Sequence, residues 1–443
     1  MKKIILSINA GSSSVKISVY SSEQNQDPEK LAETQITGIT APPAKLTYTR
    51  RDETVIKNRE VTERLETQND AFKILLRTLT EDAGLPEIAS KNDIAIACHR
   101  IVHGGDYTSA QVINQDTLHH LEALTDLAPL HNIKALQIVQ SCVAELPGAA
   151  NVACFDSQFH ASIPEHIYTY PIDPVVARKN QLRKYGFHGI SYQFITRAVA
   201  RFLGRAPADL NLIALHLGSG ASACAIKNGR SWDTSMGLTP LAGLPGATRS
   251  GSVDPSLVFH YASDVGKLSP NSTKDLHISE AEEILNLRSG WAALTGTTDF
   301  GAIASASASA GVGPEEEDRA AKNLAFDLFV DRVCGYVGSY YVSLGGRVDA
   351  LVFAGGIGER SARLRAAVAA QAGCLGFAVD GGRNEAVSGS GSGAPGKVGE
   401  AGEEAAAVVR DVGREGARHR TLVCFTDEQF EMARGCAEDP ELW

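Results

Sequence analysis

The chain lacks three features that would each point to a function class. No apolar run approaches the roughly 18 residues a membrane-spanning helix needs, so no membrane partner is expected. The eight cysteines, at 98, 142, 154, 224, 334, 374, 424 and 436, form no C-x-x-C pair, which argues against a zinc ribbon or a dithiol redox centre. They read as reduced thiols of a cytoplasmic protein. Basic charge is also in deficit: 42 Lys and Arg face 52 Asp and Glu, a net charge of −10. A general nucleic-acid binder needs a basic field and is excluded, whereas a small anionic substrate needs only a local basic pocket. The opening "MKKIILSINAGSSS" imitates a signal peptide, but Ser7 and Asn9 interrupt its apolar part, so it reads as a first β-strand.

What is present is ordinary in bulk, with 43% apolar and 21% charged residues over 443 positions, enough for two or three domains. Residues 4–20 read as two strands around a glycine-serine turn. "DAFKILLRTLTED" and the Leu- and Ala-rich stretch 116–146 read as helices. "DIAIACHRIVHGG" reads as a buried strand running into a loop, and "NVACFDSQFH" as another strand. "NLIALHLGSGASACAIKNGRS" then repeats the opening pattern of apolar strand, Gly-Ser turn and alternating strand. The copies lie about 200 residues apart, far beyond the period of a solenoid, and point to two similar domains. Residues 318–345 read as one long helix, and "VDALVFAGGIGERSARLRAAVAA" as strand, glycine turn and helix. "HRTLVCFTDEQFEMARGCAED" closes the pattern with a strand and a helix. Residues 304–314 and 388–406 are low-complexity and read as flexible surface loops.

Two apparent motifs are set aside. "GSGAPGKV" (391–398) nearly matches a P-loop, but Val398 replaces the metal-ligating hydroxyl and no apolar strand precedes it. His99 and His103 have H-x-x-x-H spacing with no glutamate between them and a strand context, which argues against zinc.

The turn "NAGSSSVK", its echo "HLGSGAS" and "AGGIGERSA" occur in order with "CHRIVHGG", "LAPLHN", "FDSQFH", "YGFHGIS", "DTSMGLTPLAGLPGATRSGSVDP" and "FTDE". Together they resemble the acetokinase family, its acetate-using members before its propionate- and butyrate-using ones. The resemblance implies an α/β, two-domain ribonuclease H-like (actin-like ATPase) fold with a duplicated mixed-sheet core and an interdomain cleft. It places the N-terminal acyl kinase domain at 1–159 plus a terminal helix at about 428–443. Residues 160–427 would form the nucleotide-binding and dimerisation domain of a cytoplasmic homodimer. The implied reaction moves the γ-phosphoryl of ATP onto acetate, reversibly, giving ADP and acetyl phosphate, with Mg2+ (or Mn2+) as cofactor.

Two anions must approach each other in that reaction, so charge has to be cancelled and the groups held in line. Arginine suits the task because it stays charged and forks onto carboxylate or phosphate oxygens. The resemblance assigns Arg100 and Arg249 to acetate and the transferring phosphoryl, and His188 to the transition state. Asp156 corresponds to the family's essential aspartate. Acetate is already ionised, so Asp156 reads as a partner orienting Arg249 or the metal's waters rather than a general base. Val102, Leu130, Phe187 and Pro240 would line the acyl pocket. Ser12, Ser14 and Lys16 would face phosphate, with glycine admitting close approach of the backbone. His216, Leu217, Gly218, Ser219 and Gly220 would do the same from the other domain. Asp299, Phe300 and Gly301, with Gly356, Ile357, Gly358, Glu359 and Arg360, would flank the nucleotide. Asn9 and Glu428 are the implied oxygen ligands of the metal.

The sequence departs from the family pattern at Ser219, Gly301, Arg360 and Tyr192. Three of these lie on the nucleotide side, so acyl kinase chemistry is better supported than the donor, and pyrophosphate or another triphosphate stays open. A propionate or butyrate kinase is the alternative enzyme. A nucleotide-gated binding protein of the actin type is the alternative class, but it would need no acyl-gripping arginines.

Overall fold

The computed structural model describes residues 1–11, 13–40, 42–51, 53–124, 129–261, 268–269, 272, 278–306, 314–389 and 408–443. Ser12, most of both low-complexity stretches and "GSGAPGKV" lie outside this set. So does the side chain of Leu130, whose backbone is helical. The chain forms two compact units, Met1–Gln158 with Asp427–Trp443, and Phe159–Thr426.

The first unit is built on eight strands: β1 Lys3–Ala10, β2 Ser14–Ser22, β3 Glu29–Thr37, β4 Lys45–Arg50, β5 Glu53–Glu60, β6 Ile94–Ile101, β7 Gln111–Val112 and β8 Ala150–Phe155. Their order is β5-β4-β3-β2-β1-β6-β8-β7. The second unit has six: β9 Leu212–Leu217, β10 Ala221–Lys227, β11 Arg230–Thr234, β12 Ala350–Ala354, β13 Val409–Asp411 and β14 Arg420–Cys424. Their order is β11-β10-β9-β12-β14-β13.

The duplication expected from the sequence echo is present in the pairing. β3-β2-β1 run antiparallel, and β6 and β8 join parallel to β1. β11-β10-β9 are likewise antiparallel, with β12 and β14 parallel beyond β9. Each glycine-serine turn joins the central strand to its antiparallel neighbour.

Helices complete each core. In the first unit α1 (Gln68–Thr80) starts at a reciprocal cap between Thr67 and Asp70, and buries Phe72, Leu75, Leu76 and Leu79. These meet Leu6, Ile8, Val15 and Ile17 of the sheet. The expected helix over 116–146 is two helices, α2 (Gln115–Ala123) and α3 (Pro129–Glu145), with the former ending at Leu124. In the second unit α4 (Gly189–Leu203) follows His188, and the short α5 (Phe300–Ala304) precedes the 30-residue α6 (Pro314–Ser343). Three glutamates in the first turn of α6 complement the helix dipole. Phe326, Phe329, Val333, Val337 and Tyr340 recur at helical spacing and are buried against the second sheet.

The segment "GGIGER" differs from the expected glycine turn. It is a helix, α7 (Gly355–Arg360), followed at once by α8 (Ala362–Gln371). Gly355 has φ +73°, and a Cβ there would sit 2.8 Å from the Leu217 carbonyl oxygen, so only glycine fits. The terminal α9 (Glu428–Glu438), capped by Asp427, packs on β1 and β6 of the first unit.

Candidate active site

In the first unit the β1–β2 turn pairs Asn9 with Lys16. The Gly11 amide donates to the Ser14 carbonyl at 2.8 Å, so it closes the turn rather than facing outward, as the phosphate-binding expectation would have it. The Lys16 ammonium lies 2.9 Å from Glu33, which also meets Lys30 at 2.6 Å. Burial would raise the Glu33 carboxyl, but Lys16 and Lys30 prevail and bring it from 4.5 to about 2. A depressed carboxyl stabilises the fold above its unfolded value and loses that contribution as pH falls through the folded one. Glu33→Gln should therefore flatten the acid-side decline in stability between 4.5 and about 2. Denaturation midpoints measured against pH check this. Parallel curves for parent and variant would show that the ion pairs contribute nothing.

Beyond that hairpin, β6 and β8 run parallel with Arg100 opposite Cys154. The chain leaves β8 into Asp156, whose amide donates to the Ile101 carbonyl at 3.0 Å. This places the Asp156 carboxylate under the Arg100 fork. Arg100 Nε donates to Oδ1 at 3.0 Å and Nη2 to Oδ2 at 2.7 Å. Glu428, in the first turn of α9, approaches Arg100 Nη1 at 3.4 Å. Burial disfavours the guanidinium charge, but the two carboxylates outweigh it and hold the pKa above its ordinary value. Both oxygens of the Asp156 carboxylate thus accept from Arg100. Val102 is half-buried just past β6. The following Gly104 lies on the Phe155 ring, where a Cβ would come within 2.5 Å.

The second unit gathers His188, Arg249 and Gly220. His188 sits in the left-handed region (φ 59°) immediately before α4. Its ring stacks on His216 at the end of β9, with centroids 4.2 Å apart. Arg249 lies in a loop whose backbone is pinned to the β9–β10 turn: Ala247 N–H donates to the Ser219 carbonyl at 2.8 Å and Gly246 N–H to the Arg249 carbonyl at 3.0 Å. Gly220 faces both functional groups. A Cβ on it would meet Arg249 Nη1 at 3.1 Å and His188 Nε2 at 3.7 Å, so the glycine leaves open the space beside them. Phe187 and Pro240 are buried in this unit, Ser219 is exposed, and the Leu217 side chain belongs to the core.

The remaining nucleotide-side candidates are structurally mixed. Asp299 caps α5 by accepting from the Gly301 amide at 2.8 Å. The Phe300 ring packs against Trp291 and Phe329 in the core, so only its backbone is left to face a ligand. Gly356 and Arg360 are exposed, Gly358 is buried and Ile357 half-buried. Glu359 accepts from the Gly355 and Thr426 amides at 3.1 and 3.2 Å. Burial moves its carboxyl upward.

Several residues that hold this machinery were not legible beforehand. Arg365 is fully buried and donates to the Gly358 and Glu359 carbonyls, both at 2.8 Å, which ends α7. "SARLRAA" looks like any solvated helix face, and nothing local marks that arginine. His160 is brought down to about 4 by burial and is therefore neutral. Its Nε2–H donates to the Phe187 carbonyl at 3.0 Å, while Nδ1 accepts from Ser231 at 2.7 Å. It thus fixes the backbone just before His188. Ser222 and Tyr192 were also missed as a pair: Ser222 Oγ lies 2.8 Å from His188 Nδ1 and 2.5 Å from the Tyr192 hydroxyl.

A model of the acetokinase family matches residues 4–398. A probable acetate kinase of Chaetomium globosum is 62% identical over all of this chain and 99% of its own length. One of Neurospora crassa is 61% identical over all of this chain and 95% of its own. The crystal structure of a propionate kinase from Francisella tularensis superposes with TM-score 0.78 at 30% identity, covering 98% of both chains. With the duplicated sheets and ordered motifs already in place, a family match across nearly the whole length makes this chain a member of the acetokinase family.

Proposed function

We propose that the chain is an acetate kinase, a phosphotransferase with a carboxyl acceptor that interconverts ATP plus acetate with ADP plus acetyl phosphate. The observation that supports it most is the approach of the Arg249 guanidinium and His188 Nε2 to one open glycine face, Gly220. Two donors aimed at one space suit a phosphoryl group whose charge grows on its equatorial oxygens. In the first unit Arg100 supplies a fixed positive charge for the acyl carboxylate, and Asp156 holds its fork in place. Asp156 is not needed as a base, because acetate carries no proton to remove.

Among the described residues no group of three His, Cys, Asp or Glu is arranged to hold a metal. Mg2+ on phosphate substrates uses one or two protein oxygens plus water and needs no cage. Asn9 and Glu428, an amide oxygen and a carboxylate, fit that description and are the residues proposed to hold it. Bound there, Mg2+ would neutralise phosphate charge. The two units are proposed to act as acyl and nucleotide domains. A homodimer is supported by exposed apolar side chains of the second unit, Leu257 and Phe259 among them. A reducing cytoplasm is supported by eight free thiols. Among the described residues no helix is long and apolar enough to cross a membrane.

A coupled assay in both directions with Mg2+ tests the reading. Acetate with ATP is expected to give the highest kcat/KM in a panel of acetate, propionate and butyrate against ATP and pyrophosphate. One methylene is worth only about 1–3 kcal/mol, so activity on propionate is expected as well. Absence of acetyl phosphate-dependent ATP formation would overturn the proposal. Higher kcat/KM with pyrophosphate would replace the donor while leaving the acyl chemistry intact.

A further inference from the structure

Tyr192 and Ser222 are completely buried in the second unit, and their hydroxyls converge on one edge of His188. The chain of contacts runs from the Tyr192 hydroxyl to Ser222 Oγ at 2.5 Å and on to His188 Nδ1 at 2.8 Å. The opposite ring nitrogen, Nε2, faces Gly220 and the Arg249 guanidinium. We infer that the Tyr192–Ser222 pair fixes His188 in its Nε2–H tautomer, so that the imidazole offers a donor on the side where a phosphoryl oxygen would lie. The inference rests on the catalytic reading of His188 proposed above.

The direction of the protons follows from chemistry and from a second example in the same unit. A phenol is a stronger acid than an alcohol and is the better donor of the two hydroxyls. The phenol proton is then directed to Ser222, and the Ser222 proton to Nδ1. Burial keeps the phenol neutral by moving its pKa well upward. His160 shows the same device, a serine hydroxyl on Nδ1 and an N–H donor at Nε2. Stacking on His216 holds the His188 ring in its plane. The reverse tautomer would aim a lone pair at phosphoryl oxygens and repel them. Tyr192 and Ser222 are positioning residues, because they act through His188.

The test is two-bond 1H–15N correlation spectroscopy on full-length protein labelled with [15N]histidine, with His188→Ala identifying the resonance. The parent is expected to show the Nε2–H pattern at His188. Ser222→Ala, which removes one oxygen, is expected to give a tautomer mixture. It should also lower kcat about 10-fold, the scale for partners that orient a working imidazole. KM for acetate and ATP should stay within about twofold, since ground-state binding is untouched. Tyr192→Phe should move both readouts in the same direction by less. An Nδ1–H pattern in the parent, or a Ser222→Ala enzyme with unchanged tautomer or unchanged kcat, overturns the inference. If His188→Ala itself retains full kcat, the proposed role of His188 fails instead, and the spectra still decide the tautomer.

Discussion

Arg100→Met is expected to abolish most activity and to destabilise the first unit at the same time. The side chain forks onto Asp156 with contacts of 3.0 and 2.7 Å and meets Glu428 at 3.4 Å. Asp156 is only 1% exposed, so the substitution takes two charge-assisted hydrogen bonds from a buried carboxylate. Breaking a buried pair from one side costs about 3–5 kcal/mol, and the lower end applies because Arg100 retains some solvent exposure. In activity, loss of the charge proposed to face the acyl carboxylate should lower kcat/KM by about 10²–10³. Combining Arg100→Met with Asp156→Leu separates the two effects. The double variant should regain part of the stability, since an apolar pair replaces the Arg100–Asp156 ion pair while Glu428 still loses its contact with Arg100. Its activity should stay low. Denaturant midpoints and steady-state kinetics provide the check. A single variant with parental stability would show the ion pair to be energetically idle, and one within tenfold of parental kcat/KM would remove Arg100 from the chemistry.

Arg249→Ala should produce a large kinetic loss. Arg249 sits partly exposed in a loop held by backbone bonds from Ala247 to Ser219 and from Gly246 to its own carbonyl. Its guanidinium faces Gly220 beside His188 Nε2, so the substitution removes one of two donors aimed at the same space. Removing a donor proposed to act mainly in the transition state should lower kcat and kcat/KM together, by about 10²–10³. Arg249→Lys should recover little, because an ammonium is a point charge and cannot present two parallel N–H groups. His188→Ala should fall in the same range. A double variant should lose less than the product of the two single losses, since both donors would act on one group. Unaltered kcat in Arg249→Ala would exclude it from the reaction. A loss confined to KM would make it a ground-state binding residue.

Much of the fold was readable because its signals are local. Apolar runs marked β1, β6 and β9, alternation marked β2 and β10, and the repeated glycine-serine turn announced two related sheets. The pairing confirms this with the same run of two antiparallel and two parallel neighbours in each unit. The errors are also local in origin. "GGIGER" reads as a turn because glycine lowers helix propensity, yet it is a helix whose last carbonyls accept from buried Arg365. The stretch 116–146 has helical composition throughout, but two separate helices lie within it.

The resemblance of the chain's ordered motifs pointed to the family and the candidate groups, and alternation, turns and glycine-rich junctions, which act over a few residues, announced the duplicated α/β plan. Only tertiary structure decided what each group faces. Arg100 and Asp156 are 56 residues apart and meet because β6 and β8 lie side by side. Glu428 reaches them because the last helix folds back onto β1 and β6. Ser222 finds His188 from 34 residues away across the second core. Such partners are chosen by packing of distant strands and helices, and no local pattern encodes a hydrogen bond between residues that only the completed core brings together.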